Sequence, residues 1–218
     1  MNRWISFDCY GTLVDWRTGM TNALEMVAPG HGRELLELHR EIEGEIEIHE
    51  PYRPYREVLA ESLRRMAAAR GLSLRAGHEQ VLAATLGFWP VYRDTNAALQ
   101  ALKAQGWKLA ILSNVDRDLI AGTLRNFDVA FDLVITAEDV RSYKPADAHA
   151  RRFLDITGVA PGDWLYAAVS LQYDLVAGKR LGAHCAWINR DAEAAADKSF
   201  LLGELTGMRE LPALAATL

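Results

Sequence analysis

The chain has 218 residues, half of them apolar and 24 % charged, and a net charge of −5. That length can bury a core plus an inserted segment, and the charge balance offers no basic footprint for nucleic acid or an anionic membrane surface. With only Cys9 and Cys185, a short apolar N-terminus and no membrane-length apolar run, the reading is a globular cytoplasmic protein without a disulfide framework, whose partners are small molecules.

In chain order, Trp4 to Cys9 is the first strand signal, and it sets a carboxylate, Asp8, at its end before breaking at Gly11-Thr12. A long segment follows in which Leu35, Leu38, Ile42 and Ile46, then Tyr55, Val58, Leu59, Leu63 and Met66, recur at helical spacing with no strand between them. Further strand signals lie at Lys108 to Asn114, Leu133 to Thr136, Trp164 to Ser170 and Ala183 to Asn189, separated by helix-length stretches. Ala192 to Leu218 reads as a helix and tail over the sheet edge. The expected fold class is α/β: a Rossmann-like parallel sheet core, residues 1–14 and 94–218, with an inserted helical cap, residues 15–93.

Ligands of open α/β sheets bind beyond the carboxyl ends of the strands. Four such ends carry polar groups here: Asp8 with Thr12, Ser113 with Asn114, Lys144 before a helix expected to start at Pro145, and Ser170 with Asp174. Each alone is an ordinary cap or turn residue. All four in register with successive strands point to one site.

The stretches "FDCYGTLVDW", "LAILSN", "SYKP" and "VSLQYDLVAGKRLG" resemble the four ordered motifs of the haloacid dehalogenase-like hydrolases, and within them the hydrolytic 2-haloacid dehalogenases. The resemblance implies Asp8 as a nucleophile that forms an ester, Lys144 as the cation that keeps it ionised, and Thr12 and Ser113 as groups that orient it or stabilise developing charge. It implies Asn114 and Ser170 as substrate contacts, Asp174 or Lys144 near the hydrolytic water, Tyr10 and Leu171 on an apolar wall, and Arg40 as the halide receiver, with Arg53 and Arg56 as rivals. No metal or other cofactor is implied, the substrate is a small carboxylate, and a homodimer fits the family's habit.

Two departures from the phosphatases of that superfamily sharpen the reading. Their second motif-one Asp, the acid for a leaving alkoxide, is Tyr10 here, and a magnesium-binding carboxylate four residues before Asp174 is Ser170. Halide leaves without a proton, so a dehalogenase does not need the second acid. Two further departures are from the dehalogenases: the asparagine of their fourth motif is absent, and Ala150, beside His149, stands where they carry a tyrosine. A magnesium-dependent phosphatase or phosphonatase and a silent small-acid-binding protein are the alternatives. The scattered histidines, His39 and His49 among them, read as polar-face residues; Cys9 reads as core, and Trp89, Trp107, Trp164 and Trp187 read as packing.

Overall fold

The computed structural model describes residues 2–47 and 51–218; of Arg40 it describes the backbone only. Six strands form one parallel sheet: β1 (Trp4–Phe7), β2 (Lys108–Ser113), β3 (Leu133–Thr136), β4 (Trp164–Ala168), β5 (His184–Ile188) and β6 (Leu201–Leu205), in the order β3-β2-β1-β4-β5-β6. The chain winds one way from β1 to β3 and the other way from β4 to β6. β1 and β4, at the point of reversal, pair with Phe7 opposite Ala167. A crevice opens beyond the carboxyl ends of strands at such a reversal.

Strands buried on both faces feed two cores. Ile5, Phe7, Leu109, Ile111, Leu165 and Ala167 face one cluster, whereas Trp4, Ala110, Leu112, Trp164, Tyr166 and Ala168 face the other, as the two-residue side-chain period requires. Between β1 and β2 the described elements are helical: α1 (Trp16–Val27), α2 (Gly32–Glu47), α3 (Tyr55–Ala69), α4 (Val81–Thr85) and α5 (Thr95–Ala104). Leu35 and Ile46 of α2 and Val58, Leu59, Leu63 and Met66 of α3 are buried, and they join the same cluster as Ile5 and Phe7. The apolar interior is therefore continuous from the sheet into this helical segment.

The other helices are α6 (Arg117–Leu124), α7 (Ala137–Val140), α8 (Ala148–Thr157), α9 (Val176–Arg180) and α10 (Leu211–Ala215). Two expectations need correction. Residues Leu201–Leu205 form a sixth strand rather than part of a helix; Gly203, paired with Ala186, lets Leu214 of α10 pack where a Cβ would stand 3.0 Å from its Cδ2. The helix after Lys144 starts at Ala148, not Pro145, because residues 143–146 close a turn through the Ala146 amide and the Tyr143 carbonyl, 3.1 Å apart. Among the described residues no helix is long and apolar enough to cross a membrane.

Candidate active site

A cavity of about 320 Å³ lies beyond the carboxyl ends of β1, β2 and β4. Asp8, Tyr10, Ser113, Asn114, Lys144, Ser170 and Asp174 line it from the sheet side. Trp16, Met20, His39, Glu43, Glu47 and Tyr55 line it from the helical segment.

The turn after β1 shapes the surroundings of Asp8. Gly11, at φ 102°, takes the left-handed backbone that this reversal needs, and a Cβ there would meet Val169 at 3.0 Å. The reversal returns Thr12 to Asp8, and the Thr12 hydroxyl donates to Asp8 Oδ2 at 3.1 Å. The Val169 amide donates to that same hydroxyl oxygen at 2.9 Å, which directs its proton toward the carboxylate. Lys144 binds the other oxygen, Oδ1, at 2.8 Å.

Lys144 is buried and spends all three protons: on Asp8 Oδ1, on Asp174 Oδ1 at 2.6 Å and on the Leu112 carbonyl at 2.9 Å. Burial alone would lower its pKa, but Asp174 and then Asp8 outweigh it and raise the value, so the ammonium is secure. Burial pushes the Asp174 carboxyl up to about 6, with Lys144 acting against the rise. Asp174 Oδ1 also accepts from the Tyr166 hydroxyl at 2.6 Å. Asn114 clamps the Lys144 backbone: its Oδ1 accepts the amide at 2.8 Å and its Nδ2 donates to the carbonyl at 3.2 Å. His149 donates Nε2 to the Ser113 carbonyl at 3.2 Å; burial and then Lys144 lower its pKa to about 3, which keeps it neutral.

The structure thus brings Asp8, Thr12, Lys144 and Asp174 into one bonded group, with Ser113, Asn114 and Ser170 on the same wall. The Ser113 hydroxyl is buried without a partner among the described residues. Ser170 caps the turn at Leu171–Leu175, accepting the Tyr173 amide at 3.0 Å. Leu171 is off the expected wall: it packs into the second core cluster, and Val169, Gln172 and Tyr173 face the cavity instead. Tyr10 is on the wall, its hydroxyl 2.9 Å from that of Thr123 and its ring edge-on to Trp89.

Arg40 lies in α2, but its side chain, like His49, is outside the described residues. Neither rival arginine lines the cavity: Arg53 pairs with Glu57, and Arg56 with Asp118 and Asp116.

Several wall residues escaped sequence reasoning. His39 is 1 % exposed and on the cavity wall, not on a polar face, and Glu43 and Glu47 follow it at the i+4 spacing that aligns residues on one helix face. That spacing was the available signal. His39 Nε2 is 3.3 Å from Glu43 Oε1, which accepts the Tyr55 hydroxyl at 2.7 Å. Burial, then Glu43, push the Glu47 carboxyl well above the usual range. Asp116 fixes this wall to the sheet, because its carboxylate accepts the Tyr55 and Arg56 amides at the start of α3, at 2.7 and 2.9 Å. Among the described residues no group of three or more His, Cys, Asp or Glu is placed to hold a metal ion.

Comparison with known proteins places the chain among relatives. An (S)-2-haloacid dehalogenase of Pseudomonas putida is 32% identical over 193 residues, covering 85% of this chain and 84% of that one. The crystal structure of the L-2-haloacid dehalogenase RSc1362 superposes with a TM-score of 0.88 at 25% identity, covering 98% of each chain. A Xanthobacter autotrophicus L-2-haloacid dehalogenase with chloropropionic acid covalently bound shares the fold, with a TM-score of 0.85 at 21% identity over 100% of both chains. The family model described as haloacid dehalogenase-like hydrolase matches residues 3–168, and the chain belongs to that family of hydrolases.

Proposed function

We propose that the chain releases halide from short 2-haloalkanoic acids through an ester on Asp8. An Asp8 carboxylate oxygen attacks the halogen-bearing carbon, and the halide leaves with the bonding electrons. Water then adds to the side-chain carbonyl carbon of Asp8, and that carbon's bond to the substrate oxygen breaks. The 2-hydroxy acid departs, and one proton is released per halide. Residues 15–93 act as the cap that keeps bulk water from the first step, and Arg40, one residue after His39 on α2, receives the halide.

One observation carries this reading: the Lys144 ammonium sits buried between Asp8 and Asp174, at 2.8 and 2.6 Å. Bonded to Asp8 Oδ1, it fixes the carboxylate in place beneath the cavity. Tyr10, with burial pushing its phenol well up, supplies no acid for a leaving alkoxide, which suits a leaving group that needs none. The 2-haloacid dehalogenases among the relatives support the same substrate class.

The test is halide release from chloro- and bromoacetate and 2-chloropropionate, with EDTA and with magnesium, beside a panel of phosphate esters. Halide release unchanged by EDTA is expected, with isotope from labelled water entering the Asp8 carboxylate in a single turnover. Phosphate release that depends on magnesium, without halide release, would overturn the proposal.

A further inference from the structure

We propose that Arg190 is a positioning residue for Asp8, holding the turn after β1 so that the Thr12 hydroxyl stays on the carboxylate. The inference rests on the ester mechanism above, in which Asp8 attacks carbon, and it assigns a role to a cation that does not line the cavity.

Arg190 follows β5, and its guanidinium reaches back to the turn after β1. Nη2 donates to the Thr12 carbonyl at 3.0 Å. Thr12 is fully buried, so its carbonyl has no access to water, and leaving such an acceptor unpaired costs stability. The hydroxyl of the same residue donates to Asp8 Oδ2 at 3.1 Å and accepts the Val169 amide at 2.9 Å. Thr12 is thus gripped at both ends, its carbonyl by Arg190 and its side chain by Asp8 and Val169. A β-branched side chain has few rotamers, so fixing the Thr12 backbone fixes where its hydroxyl points.

The guanidinium is itself held. Asp94 takes it in a two-pronged bond, Oδ1 accepting from Nη2 at 3.0 Å and Oδ2 from Nη1 at 3.2 Å, and Oδ2 also accepts the Met208 amide at 2.8 Å. The centre of the Tyr92 ring lies 3.8 Å from Cζ of Arg190. Burial opposes the ionised Asp94 carboxyl, but Arg190 outweighs it and the pKa is lowered. Gly207 leaves room for the pair, because a Cβ there would collide with Asp94 Oδ2.

Tyr92 and Asp94 belong to the stretch where the chain returns from the helical segment, and Thr12 to the stretch where it departs. The two stretches are paired: Val14 bridges Val91, the Asp15 amide donates to the Pro90 carbonyl at 2.8 Å, and the Tyr92 amide donates to the Leu13 carbonyl at 3.1 Å. Arg190 therefore ties both crossings to the end of β5. Its side chain is 13 % exposed and that of Asp94 17 %, so the pair is a bracket behind the Asp8 turn rather than a solvated surface contact. Lysine would keep the charge but lacks the planar fork that serves Asp94 and Thr12 together.

The experiment is a double-mutant cycle of Arg190→Lys with Thr12→Val, read in kcat and KM for 2-chloropropionate and in amide hydrogen exchange. Arg190→Lys should lower kcat at least about tenfold with KM nearly unchanged, because the nucleophile is misaimed while the cavity is intact. In the Thr12→Val background, where the hydroxyl is already gone, the same change should cost no more than about twofold. Without substrate, the Val169 amide of Arg190→Lys should exchange at least about tenfold faster, measured against the Ile111 amide of β2 as the reference for global opening. Should Arg190→Lys not fold, Asp94→Asn loosens the same fork and carries the same cycle, with a smaller loss expected. Losses that multiply across the cycle, a kcat within about twofold of wild type, or unchanged Val169 exchange overturn the assignment, since a merely structural ion pair behaves in those ways. A wild type that releases no halide overturns the dehalogenase reading instead, while Val169 exchange still decides whether Arg190 holds Thr12 in place.

Discussion

The two walls of the cavity follow different rules. On the sheet wall the key polar atoms are already committed to one another: Thr12 and Lys144 to Asp8, Lys144 and Tyr166 to Asp174, and Asn114 to the Lys144 backbone. On the helical wall His39 Nδ1 is buried without a hydrogen-bond partner among the described residues, and Glu43 and Glu47 bring carboxyls to the cavity. Burial, and then Glu43, push the Glu47 carboxyl well above the usual range, with Lys144 acting against the rise. The difference teaches that the sheet wall is a preorganised bonded group around Asp8, whereas the helical wall sets an imidazole and two carboxyls facing it.

The harshest way to break that division is Asp8→Asn. The side chain keeps its size and can still accept from Thr12, but it no longer attacks carbon, so kcat should fall at least about a thousandfold. The far-ultraviolet circular dichroism should be unchanged. A variant with a tenth of wild-type turnover would remove the nucleophile from the sheet wall altogether.

Lys144→Met tests whether that wall is held by its cation. Removing one member of a buried ionic group leaves the others uncompensated, which costs on the order of 3–5 kcal/mol. Here two carboxylates, Asp8 and Asp174, are left facing each other. Denaturant unfolding near pH 7 should show a loss of that size. A loss below about 1 kcal/mol would mean that water replaces the ammonium and that Asp8 is not preorganised by it.

These two walls were unequally legible in the sequence. Asp8, Lys144 and Asp174 were readable because each lies in a connection that follows the carboxyl end of a strand in a parallel sheet, where topology converges the connections. Tyr166 was not, since inside a buried strand a tyrosine reads as bulk until its hydroxyl is seen to reach Asp174. His39 was misread for a related reason: among Glu37, Glu41 and Glu43 it looks like part of a solvated face, and only the packing of α2 against α1 and α3 turns it inward. Leu171 is expected on the apolar wall with Tyr10, but in the π-helical turn at 171–175 it packs against the second core cluster instead. β6 was hidden because Gly203 and Glu204 break the apolar run that marks the other strands.

Gly19→Ala probes the seam between the walls with a smaller perturbation. A Cβ on Gly19 of α1 would lie 2.2 Å from Cγ of Trp89, whose ring packs edge-on to Tyr10. The indole is buried and has no room to withdraw, so overpacking should cost about 1–3 kcal/mol of stability. The Trp89 fluorescence spectrum should shift with it. An unchanged unfolding midpoint would show that α1 moves freely over the sheet wall, which contradicts a continuous core.

The gentlest test is Tyr166→Phe, which removes one bond to Asp174 and no packing volume of consequence. The Asp174 carboxyl lies at about 6 in the folded protein against an ordinary 3.8. A folded-state value raised in this way contributes stability that is fully present below about pH 4 and is lost as the pH rises through about 6. Activity should run the other way: Asp174 must be ionised to hold Lys144 on Asp8, so kcat/KM should fall on the acid side with a midpoint near pH 6. The Tyr166 hydroxyl favours the ionised carboxyl, so its removal should move that midpoint to higher pH. By linkage, Tyr166→Phe should cost little at pH 4 and about 1–2 kcal/mol at pH 8, where the lost hydrogen bond is to a charge. Unfolding of both proteins at the two pH values measures the difference directly. A cost that is the same at both would mean that Tyr166 does not sense the charge on Asp174, and that the sheet wall is held by Lys144 alone.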